Sequence, residues 1–281
     1  MKFGVAMFPA DFAMHVVDFG RAAEERGFES LFLPEHTHIP SERVTAYPGG
    51  GELPPEYSHT LDAFVALAAV ATATTSIKLG TGICLVIERD PILLAKEVAS
   101  VDVLSGGRFL FGVGAGWLRE EVANHGVDPR VRWRVFDERM RAMEAIWSSD
   151  VASFHGRYVN FEGIWSWPKP VQKPRPPVLL GGDYSSAIDR VIQFCDEWMP
   201  HPDRTDRPLD ERIAEFWQRC SDAGRDKLPV TVYGSSTDAR LIDSYAAAGV
   251  SRCVFRIPAA PADVVLPALD RAAEVMRLVN A

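Results

Sequence analysis

The sequence predicts an α/β protein built as a (β/α)8 TIM barrel, on three observations. Strand-like and helix-like segments alternate from end to end. Helices repeatedly close at a glycine a few residues before the next strand, and eight such units fit a chain of 281 residues. Glycine past a helix end takes the left-handed conformation that stops the helix. It stands at Gly27 before SLFL, Gly106 before RFLF and Gly249 before RCVF. Short helix-to-strand turns between repeated units favour parallel strands joined by helical crossovers. Eight of them in about 250 residues is the size of such a barrel; a doubly wound sheet is the alternative. Residues 1–281 read as one domain.

KFGVAMF (2–8) is the first strand, and Val16, Gly20, Ala23 and Gly27 share one face of the helix after it. SLFLPEH (30–36) is the second strand, with a helix over 61–74. IKLGTGICLV (77–86) is the third, and Pro91 to Leu104 is a helix with proline in its first turn. RFLFGVG is the fourth strand. The long helix after it carries Phe136, Met140, Met143 and Trp147 at spacings of four, three and four. PPVLLGG (176–182), EWMP from Glu197, PVTVYG (229–234) and RCVFRIP (252–258) are strands five to eight. Helices follow strand five (186–195) and strand eight (263–279).

Two segments exceed what a turn needs. Residues 39–58, rich in proline and glycine, leave the C-terminal side of strand two, where barrels build active sites, and are expected to form a lid. The bland alternative is a surface excursion or a subunit contact. An insertion over 150–176 precedes strand five; its part FHGRYVNFEGIWSWPKPVQKPRP is expected to be a hairpin with a proline-stiffened return.

The composition excludes several classes. With 47% hydrophobic residues the chain can bury a large core, and its net charge of −8 argues against general nucleic-acid binding. No apolar run approaches a membrane span, and the chain opens as a strand without a signal-peptide layout. Cys84, Cys195, Cys220 and Cys253 have neither metal nor redox spacing. A cytoplasmic protein with reduced thiols is expected.

The stretch RFLFGVGAGW (108–117) raises the question of a dinucleotide fingerprint. That motif needs a third small residue three places after the second glycine, where this chain has Trp117. Strand-end logic serves better, because functional residues of a barrel gather at strand C-termini. These ends supply Phe8 and Pro9; Glu35, His36 and His38; Gly80, Thr81, Gly82, Ile83 and, further on, Glu88; Gly112, Gly114 and Gly116; and Gly181, Gly182 and Asp183. Ser185 and Ser186 then open a helix, whose free amides favour an anion, phosphate above all. Three glycine-rich mouths together point to a planar ligand bearing phosphate.

PEH after strand two, LGTGI in strand three, GRFLFGVGAGW at strand four and PKPVQKPRPPVLLGG before helix five resemble the luciferase-like monooxygenase superfamily. The likeness is greatest to its deazaflavin-dependent members, which use coenzyme F420; enzymes using flavin mononucleotide (FMN) share much of the pattern. The resemblance implies an oxidoreductase passing hydride between F420 and a small organic substrate, with an FMN-dependent monooxygenase using O2 as alternative. It implies a cis peptide at Gly82–Ile83 behind the central ring, with Phe8 and Thr81 beside it. Gly112, Gly114 and Gly116 would lie along the cofactor side chain, and Gly181, Gly182, Asp183, Ser185 and Ser186 at its phosphate. His36 matches the active-site histidine, able to give or take a proton near neutrality, and Glu35 would orient it or serve as an interior ion-pair partner. His38 is expected to face solvent. Trp117 stands where the sugar-phosphate dehydrogenases of the superfamily carry a catalytic glutamate. It excludes that activity and offers an apolar wall to a hydrophobic substrate, or else packs on WSW (165–167). A homodimer is implied as well.

Two other readings remain at this point. His36-x-His38 resembles the histidine pair of metal-dependent barrel hydrolases, although the further strand-end histidines such a site needs are missing but for His201. A cofactor carrier without turnover is the second, against which the retained His36 speaks. No metal is expected.

Overall fold

The computed structural model describes residues 1–203 and 207–279. In chain order the elements are β1 (Lys2–Ala6), α1 (Val16–Glu25), β2 (Ser30–Leu33), α2 (Ala63–Ala73), β3 (Lys78–Thr81), β4 (Cys84–Leu85), α3 (Pro91–Leu104), β5 (Phe109–Gly114), α4 (Arg119–Asn124) and α5 (Arg132–Ser148). There follow β6 (Ala152–His155), β7 (Asn160–Ile164), β8 (Val178–Gly181), α6 (Ser185–Phe194), β9 (Glu197–Met199), α7 (Leu209–Asp222), β10 (Thr231–Ser235), α8 (Ala239–Ala247), β11 (Arg252–Arg256) and α9 (Ala262–Val279).

The order β10-β11-β1-β2-β3-β5-β8-β9 is parallel throughout. A parallel bridge between Trp198 and Val230 brings β9 to β10 and closes the ring. This is a (β/α)8 barrel. The glycine ends behave as the sequence demands: Gly27, Gly106 and Gly249 have φ of 81°, 65° and 82°. Helix α3 starts at Pro91, with Asp90 accepting from the amides of Ile92 and Leu93. Helix α5 buries Phe136, Met140, Met143, Ile146 and Trp147 on one stripe, and the Trp147 indole donates to the Ala95 carbonyl at 3.0 Å. The segment over 150–176 holds the antiparallel hairpin β6–β7, then the cis prolines Pro168 and Pro174.

Pleat parity sorts the barrel interior into layers. The lowest is polar: Arg252 donates to Glu197 at 3.0 and 3.2 Å, to Glu29 at 2.8 and 3.1 Å, and to Thr231 at 2.9 Å. Ala6, Phe32, Leu110, Leu179, Met199 and Val254 fill the middle. Ile83 and Tyr233 sit on that plug at the C-terminal mouth. The four cysteines are free and buried, and burial pushes each thiol up.

Burial alone would raise the Glu29 carboxyl, but the Arg252 guanidinium, helped by Lys78, takes it from 4.5 down to about 2. A lowered carboxyl pKa stabilises the fold above the unfolded value, and that stability is lost as pH falls through the folded one. Arg252→Met leaves Glu197 without its cation and Glu29 with lysine partners alone, and is expected to lower stability by about 3–5 kcal/mol. It should also flatten the acid limb between pH 4.5 and about 2. Denaturant unfolding across that pH range checks both.

Candidate active site

The second strand ends early because Pro34 has no amide hydrogen to continue the ladder. The chain then turns across the barrel mouth and presents Glu35 and His36, both buried. His36 Nδ1 lies 2.6 Å from Oε2 of Glu121, the third residue of α4. The other oxygen of Glu121 accepts from the Thr37 amide at 3.0 Å. One buried carboxylate therefore fixes both the imidazole and the backbone beside it. Nε2 of His36 makes no hydrogen bond among the described residues, and the ring lies against Tyr57 (5.2 Å) and Trp117 (5.9 Å).

Glu35 does not orient His36. Its oxygens accept from the Leu85 amide at 2.8 Å and from Arg89 at 2.8 and 3.3 Å, and Arg89 also pairs with Asp62 and Glu97. Glu35 is thus the interior ion-pair partner, and the orienting role passes to Glu121. Sequence reasoning missed Glu121 because α4 has only six residues, too few for apolar periodicity. The available signal was the acidic pair in WLREE just after the glycine-rich strand end.

Gly82–Ile83 is a cis peptide that interrupts the predicted third strand, leaving β3 and the two-residue β4. The Ile83 side chain occupies a niche between β5 and β8. A Cβ on Gly114 would lie 2.0 Å from its Cδ1, and one on Gly181 would lie 3.2 Å from its Cγ2. A Cβ on Gly112 would meet the Thr81 carbonyl oxygen at 2.0 Å, and the Thr81 hydroxyl donates to the Gly112 carbonyl at 2.6 Å. Gly112, Gly114 and Thr81 therefore serve close strand packing, and Thr81 is fully buried. Gly116, with φ 65°, leads the chain from β5 past Glu88 toward Trp117.

Beyond β8, Gly182 (φ 129°) sends its carbonyl to the Trp198 indole at 2.8 Å. The Asp183 carboxylate is paired with Arg212 at 2.6 Å and is nearly buried, which removes it from a phosphate role. Ser185 and Ser186 stay exposed at the start of α6. The half-buried Arg132 has an Nε without a partner among the described residues. Burial, then the charge of Arg119, lowers Arg132 from the ordinary arginine value, while Tyr184 opposes.

Residues 39–58 lie over one side of the mouth. Glu120 accepts from the Val44 and Thr45 amides at 2.9 and 3.0 Å. Burial would raise its carboxyl, but those bonds and the Thr45 hydroxyl carry it to about 2. The Tyr57 hydroxyl donates to Tyr47 at 3.2 Å, and Phe8 meets Tyr57 at 4.5 Å. Trp117 faces Tyr47 and His36, whereas Trp165 and Trp167 stand 81% and 57% exposed. At the rim Phe8, Ile83, Trp117, Gly181, Gly182 and Tyr233 are half-buried. His38 bonds to Thr37 and Asn124 at 3.0 and 2.9 Å and is half-buried. Among the described residues no three histidine, cysteine or acidic side chains converge as metal ligands.

Residues 2–239 match the family model for luciferase-like monooxygenases, and the chain belongs to that family. A Mycobacterium tuberculosis protein of unassigned function is 37% identical over 286 residues, covering 99% of this chain and 97% of that one. An FMNH2-dependent dimethylsulfone monooxygenase of Pseudomonas putida is 35% identical over 109 residues, 38% of this chain and 30% of that one. An F420-dependent secondary alcohol dehydrogenase, solved with an F420–acetone adduct, superposes with a TM-score of 0.77 at 18% identity, covering 99% of each chain; it shares the fold. The family model makes this a luciferase-like oxidoreductase.

Replacing Glu121 with leucine leaves the Thr37 amide without its acceptor and the imidazole without its partner. Loss of such a buried partner costs about 1–3 kcal/mol. In Glu121→Leu, hydrogen exchange at the Thr37 amide is expected to accelerate while amides of β10 and β11 keep their protection; unchanged Thr37 exchange would contradict the contact.

Proposed function

We propose that this protein transfers hydride between the deazaflavin F420 and a small, apolar organic substrate at the barrel mouth. The observation that supports this most is His36, oriented at Nδ1 by a buried carboxylate and without a hydrogen bond at Nε2 among the described residues, at the strand end next to Gly82–Ile83 and against the rim aromatics Tyr57 and Trp117. The residues present fit a flat cofactor with phosphate. Ile83 stands over its niche as a back wall, while Gly181, Gly182, the exposed Ser185 and Ser186 and the neighbouring Arg132 fit an anion at a helix start.

When bound, the deazaflavin supplies hydride chemistry, which belongs to the cofactor. The chain supplies the rest. His36 Nε2 gives a proton to the substrate oxygen or nitrogen whose neighbouring carbon takes the hydride, or removes one in the reverse direction. Trp117, Tyr47 and Tyr57 exclude water and present an apolar face. The FMN-dependent, O2-consuming alternative draws on the local likeness to the dimethylsulfone monooxygenase.

Fluorescence titration of the purified protein with F420 and, separately, FMN decides between them. Saturable F420 binding on the order of tenfold tighter than FMN is expected; the reverse order would favour the monooxygenase. Ser186→Glu places a like charge at the anion site and should weaken F420 binding about tenfold. His36→Ala should keep F420 affinity and lower turnover about 100-fold, so undiminished turnover would remove His36 from the mechanism.

A second copy of the chain is proposed to cover the outer face of α2 and α3, where Val65 and Leu93 are 72% and 55% exposed. Light scattering should give twice the 31.0 kDa chain mass; a monomer would refute the pairing.

A further inference from the structure

Behind His36 lies a carboxyl that this reaction does not use. The side chain of Glu88 is fully buried, and neither oxygen has a hydrogen-bond partner of ordinary geometry among the described residues. Facing it are Glu121 from α4, Glu35 after β2, His125 beyond α4, Arg139 from α5 and its neighbour Arg89. Arg89 is engaged by Glu35, Asp62 and Glu97, and Arg139 donates to the carbonyls of Val86 and Arg89. Neither arginine hydrogen-bonds Glu88. Burial first, then the charges of Glu121 and Glu35, push its carboxyl up to about 9, so it is a neutral acid at pH 7.

A chain of polar atoms leads outward from this place. Thr37 Oγ1 lies 3.4 Å from Oε1 of Glu121 and 2.7 Å from Nε2 of His125. Oε2 of Glu88 is 3.8 Å from the same nitrogen. The His125 side chain is 27% exposed. Burial, with His38, Arg139 and Arg89 nearby, lowers its pKa, which leaves it mostly neutral and able to accept a proton from solvent.

We propose that Glu88 and Glu121 are a proton-sharing carboxyl pair, joined to solvent through Thr37 and His125, that resupplies His36. The proposal rests on the role given to His36 above. The one stored proton passes from Glu88 to Glu121, and Nδ1 of His36 takes it as the Nε2–H bond breaks toward a base in the mouth. Thr37 then gives its hydroxyl proton to Glu121 as it takes one from Nε2 of His125, which is protonated from solvent. Each transfer breaks one N–H or O–H bond and makes one, and nothing is oxidised or reduced. Glu88 acts through Glu121 and is a positioning residue.

Carbon-13 NMR of the ligand-free protein labelled at glutamate carboxyls tests the stored proton without any cofactor. One carboxyl should remain protonated at pH 7.5, and that resonance should be missing in Glu88→Gln. If every glutamate is ionised at that pH, the pair is refuted. In turnover with F420, His125→Ala should be slowed about tenfold with F420 affinity unchanged, and added imidazole should restore the rate. Thr37→Val should be slowed alike but not rescued. Full activity of Glu88→Gln, Thr37→Val and His125→Ala, beside an inactive His36→Ala, would overturn the relay and leave His36 in place. An active His36→Ala would overturn the proposed reaction itself, and with it the resupply role, leaving the NMR result as a statement about the carboxyl pair alone.

Discussion

The mouth of this barrel depends on one buried carboxylate. Glu121 is fully inaccessible, yet it binds two groups from a different part of the chain: the imidazole of His36 and the amide of Thr37. A buried acid without partners is costly, so the loop after β2 and the short helix α4 must meet at this point for either to be stable there. The contact spans 85 residues of sequence and joins the products of two barrel strands, β2 and β5. It fixes the tautomer-bearing edge of His36 on one side and leaves the other edge for chemistry.

The segment from Trp117 to Glu121 concentrates three tasks in five residues. Trp117 walls the mouth, Glu120 holds the amides of Val44 and Thr45, and Glu121 holds His36 and Thr37. The covering loop and the imidazole are therefore fastened to the same turn of chain, which starts directly after the glycine-rich end of β5. Strand packing imposes those glycines. Gly112 and Gly114 make room for a carbonyl of β3 and for Ile83, and the place of Ile83 in turn shapes the floor of the mouth. Loop fastening, imidazole orientation and floor shape thus follow from a few adjacent residues.

Much of this was legible in the sequence, unevenly. The barrel strands and the helices α3, α5 and α9 follow from apolar spacing, proline starts and glycine ends, because those signals are local. The same periodicity exists in α7, where Leu209, Ile213, Phe216 and Cys220 are buried at spacings of four, three and four. The split of the third strand at Gly82 was not readable from periodicity, since the apolar run continues through Ile83, Cys84 and Leu85; only the family resemblance placed a cis bond there. His36 follows from strand-end logic and that resemblance, Trp117 from the resemblance alone. Glu121 follows from neither, because its partner is distant in sequence and its helix too short to leave a pattern. Glu35 was offered two roles, and Arg89, placed by the turn after β4, decides for the ion pair. Asp183 was read as a phosphate neighbour, but Arg212 from α7 neutralises it.

The central claim is that a tricyclic redox cofactor lies on the Ile83 floor with His36 at its edge. A crystal structure of the protein with F420 tests this most directly. The account predicts the ring at the mouth between Ile83 and Trp117, in hydrogen-bonding reach of His36 Nε2, with phosphate at the start of α6. Density for F420 at any other place, or a ring turned away from His36 with Glu121 still bound to Nδ1, would contradict it.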